Sequence, residues 1–102
     1  MCGLAGFLTE PSNISSPERV LHAMGDAIQS RGPDSKGHFY DEDAGIGLSF
    51  RRLSIIDISD AGAQPMISTS GRYVIVFNGE IYNHLEIRKD IEKQASANIL
   101  WV

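Results

Sequence analysis

The chain has 102 residues, which is enough for one small domain, and we expect no second independent domain within them. Its 42% apolar and 22% charged residues are typical of a globular protein, and its net charge of -4 disfavours binding to nucleic acid or to an anionic membrane. No apolar segment approaches the roughly 20 residues that span a bilayer, and the N-terminus lacks a signal-peptide pattern, so we predict a cytoplasmic protein without a membrane partner.

The first predicted elements are a strand and a helix. Residues 3–8 are apolar with two glycines, which is typical of a short buried strand. Ser16 followed by Pro17 predicts a helix N-cap and the first helical position. Apolar residues at helical spacing then carry the helix to about Ser30.

Three further strands are predicted in the middle of the chain. Residues 46–50 and 53–58 are expected to be strands on either side of Arg51 and Arg52, and we expect Arg51 to lie at the surface. Residues 73–77 are β-branched and aromatic throughout, which predicts a strand buried on both faces.

A turn and a second helix follow. Asn78-Gly79 suits a tight turn with positive φ. Asn83 is a predicted N-cap, with Glu86 completing a capping box. The apolar side of this helix is imperfect and consists of Leu85, Ile87 and Ile91. These elements together predict an α+β domain.

The last six residues, 97–102, are almost entirely apolar, whereas chain ends are usually polar. They look like a core strand cut short. We therefore expect residues 1–102 to be a truncated part of one longer domain.

Cys2 is the only cysteine, which excludes an intramolecular disulfide and a cysteine-rich metal site. Removal of Met1 would expose a thiol and an α-amine on the same residue. Such an amine titrates near neutral pH and can take the thiol proton. From position alone, Cys2 is either an incidental thiol or an N-terminal nucleophile.

Five short motifs are distributed along the chain. They are Met-Cys-Gly-Leu-Ala-Gly-Phe at 1–7, Arg-Gly-Pro-Asp at 31–34, Arg-Leu-Ser-Ile-Ile-Asp at 52–57, Ala-Gly-Ala-Gln-Pro-Met at 61–66 and Phe-Asn-Gly-Glu-Ile-Tyr-Asn at 77–83. Their order and approximate spacing resemble those of class II glutamine amidotransferases. The resemblance covers residues 1 to about 90 and is strongest to the glutaminase domain of glutamine-dependent asparagine synthetases. The related sugar-phosphate and phosphoribosyl branches do not usually combine the second, third and fourth of these motifs.

The resemblance implies an N-terminal-nucleophile hydrolase fold, an αββα sandwich of antiparallel sheets of which this chain holds the first half. It implies that Cys2 takes the γ-glutamyl group as a thioester and releases ammonia, after which water frees glutamate. Asn78 and the N–H of Gly79 resemble the family's oxyanion hole.

The same resemblance assigns glutamine-binding residues. Arg52 corresponds to the arginine that holds the substrate α-carboxylate in a bidentate pair. Glu80 is placed to receive polar groups of glutamine, and Arg31 is expected to be a buried, hydrogen-bonded residue that shapes the pocket. The segment that lines the pocket with its main chain is Leu53, Ser54, Ile55 and Ile56.

No metal or cofactor is expected in this chain. Its three histidines, His22, His38 and His84, form no ligand pattern, and no phosphate-binding loop of the G-x-x-x-x-G-K type is present. ATP and Mg are expected only for the family's synthetase domain, which these residues lack. The aspartate that binds the substrate α-ammonium in the family is also missing. The expected partners are glutamine and a synthetase domain.

Two alternatives stay open at this point. The chain could be a non-catalytic remnant or interaction module that associates with itself or a partner through unpaired sheet edges. It could also belong to an amidotransferase whose ammonia acceptor differs from aspartate, because the acceptor is chosen outside these residues.

Overall fold

A computed structural model describes residues 2–10, 13–53 and 62–95. Within them the protein is α+β, as predicted. The elements in chain order are β1 Gly3–Leu8, α1 Pro17–Ala27, a short 3-10 helix Gln29–Arg31, β2 Ser35–Asp41, β3 Ile46–Arg52, β4 Met66–Ile67, β5 Val74–Ile75 and α2 His84–Gln94. Neither of the two α-helices in this part of the chain is long and apolar enough to cross a membrane.

The main sheet has three antiparallel strands in the order β1, β3, β2. Gly3 pairs with Arg51 and Leu8 with Ile46, while Ser35 pairs with Arg52 and Asp41 with Ile46. Because side chains alternate along a strand, odd-numbered residues of β3 face one side of the sheet and even-numbered ones the other.

Helix α1 covers the side with the odd-numbered residues of β3. Leu21 is fully buried and lies beside Gly47, and Gly25 lies beside Ser49. The predicted strand 3–8 and the helix start at Pro17 are confirmed. The strand is only partly buried, however, because it lies at the edge of the sheet and Leu4 and Leu8 face the side opposite α1. The helix ends at Ala27 instead of Ser30, because the 3-10 helix takes over. Ser16 is the N-cap residue with φ 61°, but its side chain makes no capping hydrogen bond.

The opposite side of the sheet is apolar and partly covered. Phe50 is only 2% exposed, because the segment that leads into β4 passes beside its neighbour Gly37. Leu8 on the same side is 77% exposed. The predicted strand 46–50 is confirmed and extends through Arg52.

The strand predicted at residues 73–77 is largely wrong. Only Val74–Ile75 forms a strand, and it pairs with two residues of β4. Tyr73 is 63% and Ile75 55% exposed, so the strand is not buried on both faces. A high β-propensity means that side chains fit well on a covered sheet. Among the described residues no layer covers Tyr73 and Ile75, so the propensity of this segment is not realised as a longer strand.

The turn and helix caps also differ from prediction. Neither Asn78 nor Gly79 has a positive φ. Asn83 precedes α2 as predicted, but no side-chain capping bond forms there. The apolar side chains of α2 are exposed. Leu53, the first residue of the predicted strand 53–58, lies just beyond the end of β3. The rest of that strand and residues 97–102 lie outside the described residues.

Candidate active site

Cys2 lies just before β1, at the end of the sheet where β3 finishes. Continuing the β1–β3 register by one residue places it opposite Arg52. The N–H of Leu53 donates a hydrogen bond to the Cys2 Sγ at 3.3 Å. The Cys2 thiol in turn donates to the Leu53 carbonyl oxygen, with 3.8 Å between sulfur and oxygen. The half-buried thiol is therefore held by the main chain that follows β3.

The carbonyl oxygen of Cys2 joins two distant parts of the chain. Arg31 Nε donates to it at 3.2 Å, and the Asn78 side-chain Nδ2 donates to it at 2.9 Å. These donors lie 29 and 76 residues away in sequence. Three of the motif residues named from the sequence thus meet at one atom.

The turn that contains Arg31 is built against β3. Gly32 is buried, and a Cβ there would overlap the main chain of Arg51 and Arg52, so this close approach requires glycine. Arg51 Nε donates to the Gly32 carbonyl at 3.0 Å, and the Asp34 N–H donates to the Arg52 carbonyl at 3.0 Å. The turn is fixed to the strand on both sides of Pro33.

Two arginine predictions are corrected by this packing. Arg51 is only 5% exposed and is not a surface residue, because its position in β3 directs it beneath α1. Arg31 does make the expected hydrogen bond, but its side chain is exposed instead of buried. The buried arginine that bonds to the turn is therefore Arg51 of β3.

Arg52, the expected carboxylate-binding residue, is half-buried on the side of the sheet opposite α1. Its guanidinium lies against Gly62, close enough to exclude a Cβ at that position. Leu53 is the one member of the predicted lining segment within the described residues, and it contacts Cys2 directly. Ser54, Ile55 and Ile56 lie outside them.

Gly79 and Glu80 are both exposed beside Asn78. Among the described residues, the N–H of Gly79 and the carboxylate of Glu80 have no hydrogen-bond partner. The side-chain amide of Asn78 and the main-chain N–H of Gly79 are thus two donors in consecutive residues, and they are the groups that the resemblance implies as oxyanion donors.

Gln64 is a residue of this region to which the sequence patterns assign no role. Its Nε2 donates to the Phe77 carbonyl at 3.1 Å, and its Oε1 accepts from the Phe77 N–H at 2.6 Å. The only sequence signal is its place in the Ala-Gly-Ala-Gln-Pro-Met motif, which does not indicate a contact 13 residues away.

The remaining polar features lie apart from Cys2. His22 and His38 meet edge to face with ring centroids 4.8 Å apart. Within residues 2–10, 13–53 and 62–95, no group of three or more potential ligands could hold a metal ion. A cavity of about 640 Å³ at the start of α1, which Tyr40 and Glu42 also line, shares no residue with the Cys2 site.

Comparison with known proteins gives a consistent family. Residues 1–98 match the glutamine amidotransferase domain family. The chain is 46% identical over 94 residues to asparagine synthetase (glutamine-hydrolyzing) 1 of Bacillus subtilis strain 168, which covers 90% of this chain and 14% of that protein. It is 42% identical over 93 residues to asparagine synthetase (glutamine-hydrolyzing) 2 of the same organism, covering 89% and 12%.

A third relative carries a different name. Amidase chry2 of Gibberella zeae is 37% identical over 93 residues, covering 82% of this chain and 14% of that protein. The chain spans about a seventh of the length of these relatives. The family match nonetheless extends over nearly all of its residues, and this protein therefore belongs to the glutamine amidotransferase domain family.

Proposed function

We propose that this protein hydrolyses glutamine to glutamate and ammonia with Cys2 as the nucleophile. The observation that carries the proposal is the hydrogen bond from the Asn78 side chain to the Cys2 carbonyl. It brings an expected oxyanion donor to the expected nucleophile across 76 residues of sequence. The family membership supports the same chemistry.

The first half of the reaction uses the N-terminal amine that removal of Met1 exposes. The amine takes the thiol proton, and the sulfur attacks the carboxamide carbon of glutamine. The Leu53 N–H, which donates to Sγ, stabilises the thiolate. The N-terminal ammonium then gives its proton to the carboxamide nitrogen as the carbon–nitrogen bond breaks, and ammonia departs, which leaves a γ-glutamyl thioester on Cys2.

The oxyanion of each tetrahedral intermediate needs fixed donors. The Asn78 amide carries two N–H groups, so it can hold the Cys2 carbonyl with one and meet the oxyanion with the other. The Gly79 N–H supplies a second donor. Each such donor is typically worth about 10²–10³ in kcat. Attack of water on the thioester gives glutamate and restores the thiol.

Substrate orientation is assigned to Arg52, Glu80 and the main chain of residues 53–56. The guanidinium of Arg52 binds the α-carboxylate of glutamine through two parallel hydrogen bonds. Arg52 suits this role because it lies at the end of β3, opposite Cys2 and on the side of the sheet that α1 leaves open.

The proposed destination of the ammonia is a synthetase that forms asparagine. Two relatives carry the name asparagine synthetase, and their additional length leaves room for a domain that uses ATP and Mg. An amidotransferase with another acceptor is the second candidate, favoured by the similarity to a protein named amidase chry2. The cytoplasm stays the predicted compartment, and self-association through sheet edges stays a prediction.

We also propose an αββα arrangement for the complete domain. Helix α1 forms an outer layer on one side of the three-stranded sheet. The other side presents Leu4 and Leu8, which are exposed, beside the buried Phe50, and a second sheet packed there would bury both leucines.

The experiment is intact-mass analysis with a glutamine analogue whose side chain ends in an electrophilic diazoketone. Because Cys2 is the only cysteine, a single adduct reports on one thiol. We expect loss of Met1, one adduct, and slower labelling in the presence of L-glutamine but not D-glutamine. Cys2→Ala should show no adduct and no glutaminase activity.

Iodoacetamide labelling serves as the control for thiol access. A retained Met1 would refute the mechanism. So would an accessible thiol that the analogue does not label, or labelling that L-glutamine fails to slow. Full glutamine turnover by Cys2→Ala would have the same consequence.

A further inference from the structure

We infer that Gln64 is a positioning residue for the oxyanion donors, acting through the main chain of Phe77. The inference rests on the proposed function, since it concerns Asn78 and Gly79 in that reaction. Gln64 makes no contact with the expected reacting atoms. Its amide instead holds the residue that directly precedes Asn78.

The Gln64 side chain bonds to Phe77 as a neighbouring strand would, with one donor and one acceptor for the main chain. Within the described residues, β5 ends at Ile75 and regular structure resumes only at α2. Between them, the Gln64 amide donates to the Phe77 carbonyl and accepts from the Phe77 N–H. Both main-chain polar groups of Phe77 are therefore fixed immediately before the residue that contacts Cys2.

Gln64 is itself anchored to the sheet that leads to Cys2. Its carbonyl oxygen lies so close to Gly37 of β2 that a Cβ at Gly37 would overlap it. Gly37 pairs with Phe50 in the central strand β3, and Phe50 is buried. The amide therefore connects the segment that carries Asn78 to the same rigid sheet whose central strand ends next to the thiol.

Glutamine is the residue type that this contact requires. A primary amide carries one donor and one acceptor in a plane, which complements the C=O and N–H of one residue. A glutamate carboxylate would accept from the Phe77 N–H but would face the Phe77 carbonyl with a second acceptor. Leucine has a similar volume and makes neither bond.

The experiment measures kcat and KM of the purified protein for L-glutamine with Gln64→Leu, Gln64→Glu and Gln94→Leu. We expect both Gln64 variants to lower kcat by about 10- to 100-fold with KM changed less than about threefold, because displaced oxyanion donors act on the transition state. Gln94 ends α2 in solvent, so its variant should match the wild type.

A double variant tests whether the effect passes through Asn78. Asn78→Ala alone should lower kcat strongly, and adding Gln64→Leu should then cost less than it does in the wild type, because only the Gly79 N–H is left to be positioned. Hydrogen exchange supplies a readout without turnover: the Phe77 amide should exchange faster in Gln64→Leu, whereas the Leu21 amide in α1 should not.

The outcomes separate the inference from the proposed function. Absence of Cys2-dependent turnover in the wild type would refute the proposed function. In that case hydrogen exchange still tests the inference, because an unchanged exchange rate of the Phe77 amide in Gln64→Leu would refute the Gln64–Phe77 contact. With an active wild type, the inference is overturned by unchanged kcat, by a change confined to KM, or by independent effects of Gln64 and Asn78. Unfolding of both Gln64 variants would assign the residue to stability and overturn it as well.

Discussion

The main chain of Cys2 is held in place at its carbonyl oxygen, because Arg31 and Asn78 both donate hydrogen bonds to this atom. A carbonyl oxygen has two lone pairs, and these two donors can occupy both. A change at either donor therefore moves the thiol without touching it. Catalysis by Cys2 is expected to depend on residues that never meet the substrate, such as Arg31.

Substitution of Arg52 should separate binding from chemistry. We expect Arg52→Ala to raise KM for glutamine by about 10-fold or more with kcat largely retained, because it removes a contact that ground state and transition state share. Arg52→Lys should not restore KM, since an ammonium group cannot make the bidentate pair. Steady-state glutaminase kinetics measure both values.

The matched control for this prediction is Arg72→Ala. Arg72 is exposed and lies over the ring of Tyr73. Its loss should leave KM unchanged. A fall in kcat for Arg52→Ala at constant KM would contradict the assigned role.

The two adjacent arginines also show what a sequence can reveal about single residues. Arg51 and Arg52 are chemically identical, and only the resemblance distinguishes Arg52. In the strand they face opposite sides, so Arg51 is buried under α1 and bonds to Gly32. Which of two neighbours is buried depends on where the helix packs, and no local pattern contains that information.

At the scale of elements, the Arg-Gly-Pro-Asp turn packs directly against the main chain of β3. We expect Gly32→Ala to destabilise the protein by about 1–3 kcal/mol, because the added methyl group must displace the main chain of β3. Thermal and urea unfolding followed by circular dichroism measure the change in free energy.

Ser30→Ala is the control, since Ser30 is an exposed neighbour of the same turn. Exposed substitutions of this kind usually stay within about 0.5 kcal/mol. Equal stability of Gly32→Ala and the wild type would mean that the turn does not pack on β3 as described.

Local patterns predicted some elements and missed others for physical reasons. β1 and the start of α1 follow from signals within a few residues, namely an apolar run and Ser16-Pro17. β2 begins Ser-Lys-Gly-His and has little intrinsic strand character; it is a strand because it pairs with β3 along its whole length. Pairing with β3 therefore determines β2, whereas local propensity is enough to predict β1 and the start of α1.

For the molecule as a whole, we expect binding of glutamine without binding of ATP. Adding ATP and Mg to the 102-residue chain should leave its melting temperature unchanged, because no phosphate-binding loop is present. Saturating glutamine should raise it, since a ligand at 100 times its Kd stabilises the folded state by about 2.7 kcal/mol. A clear rise with ATP and Mg would contradict the prediction.

The site as a whole was predictable only in part. The resemblance named Cys2, Arg31 and Asn78, and they meet in the structure. The Gln64 contact with Phe77 was not predictable, because a side-chain amide can bond to any main chain within reach. A motif can therefore indicate which residues belong to the site, whereas the hydrogen-bond partner of each residue depends on how the chain folds.

The position of the shared oxygen has a consequence for maturation. The bond cleaved when Met1 is removed lies on the amino side of Cys2, whereas Arg31 and Asn78 hold the carbonyl on its other side. Removal of Met1 would therefore create the amine without breaking the hydrogen bonds from Arg31 and Asn78 to the Cys2 carbonyl. If Cys2 acts as proposed, we expect the untrimmed and trimmed chains to share one geometry, so that hydrolysis of one peptide bond would be enough to produce the active form.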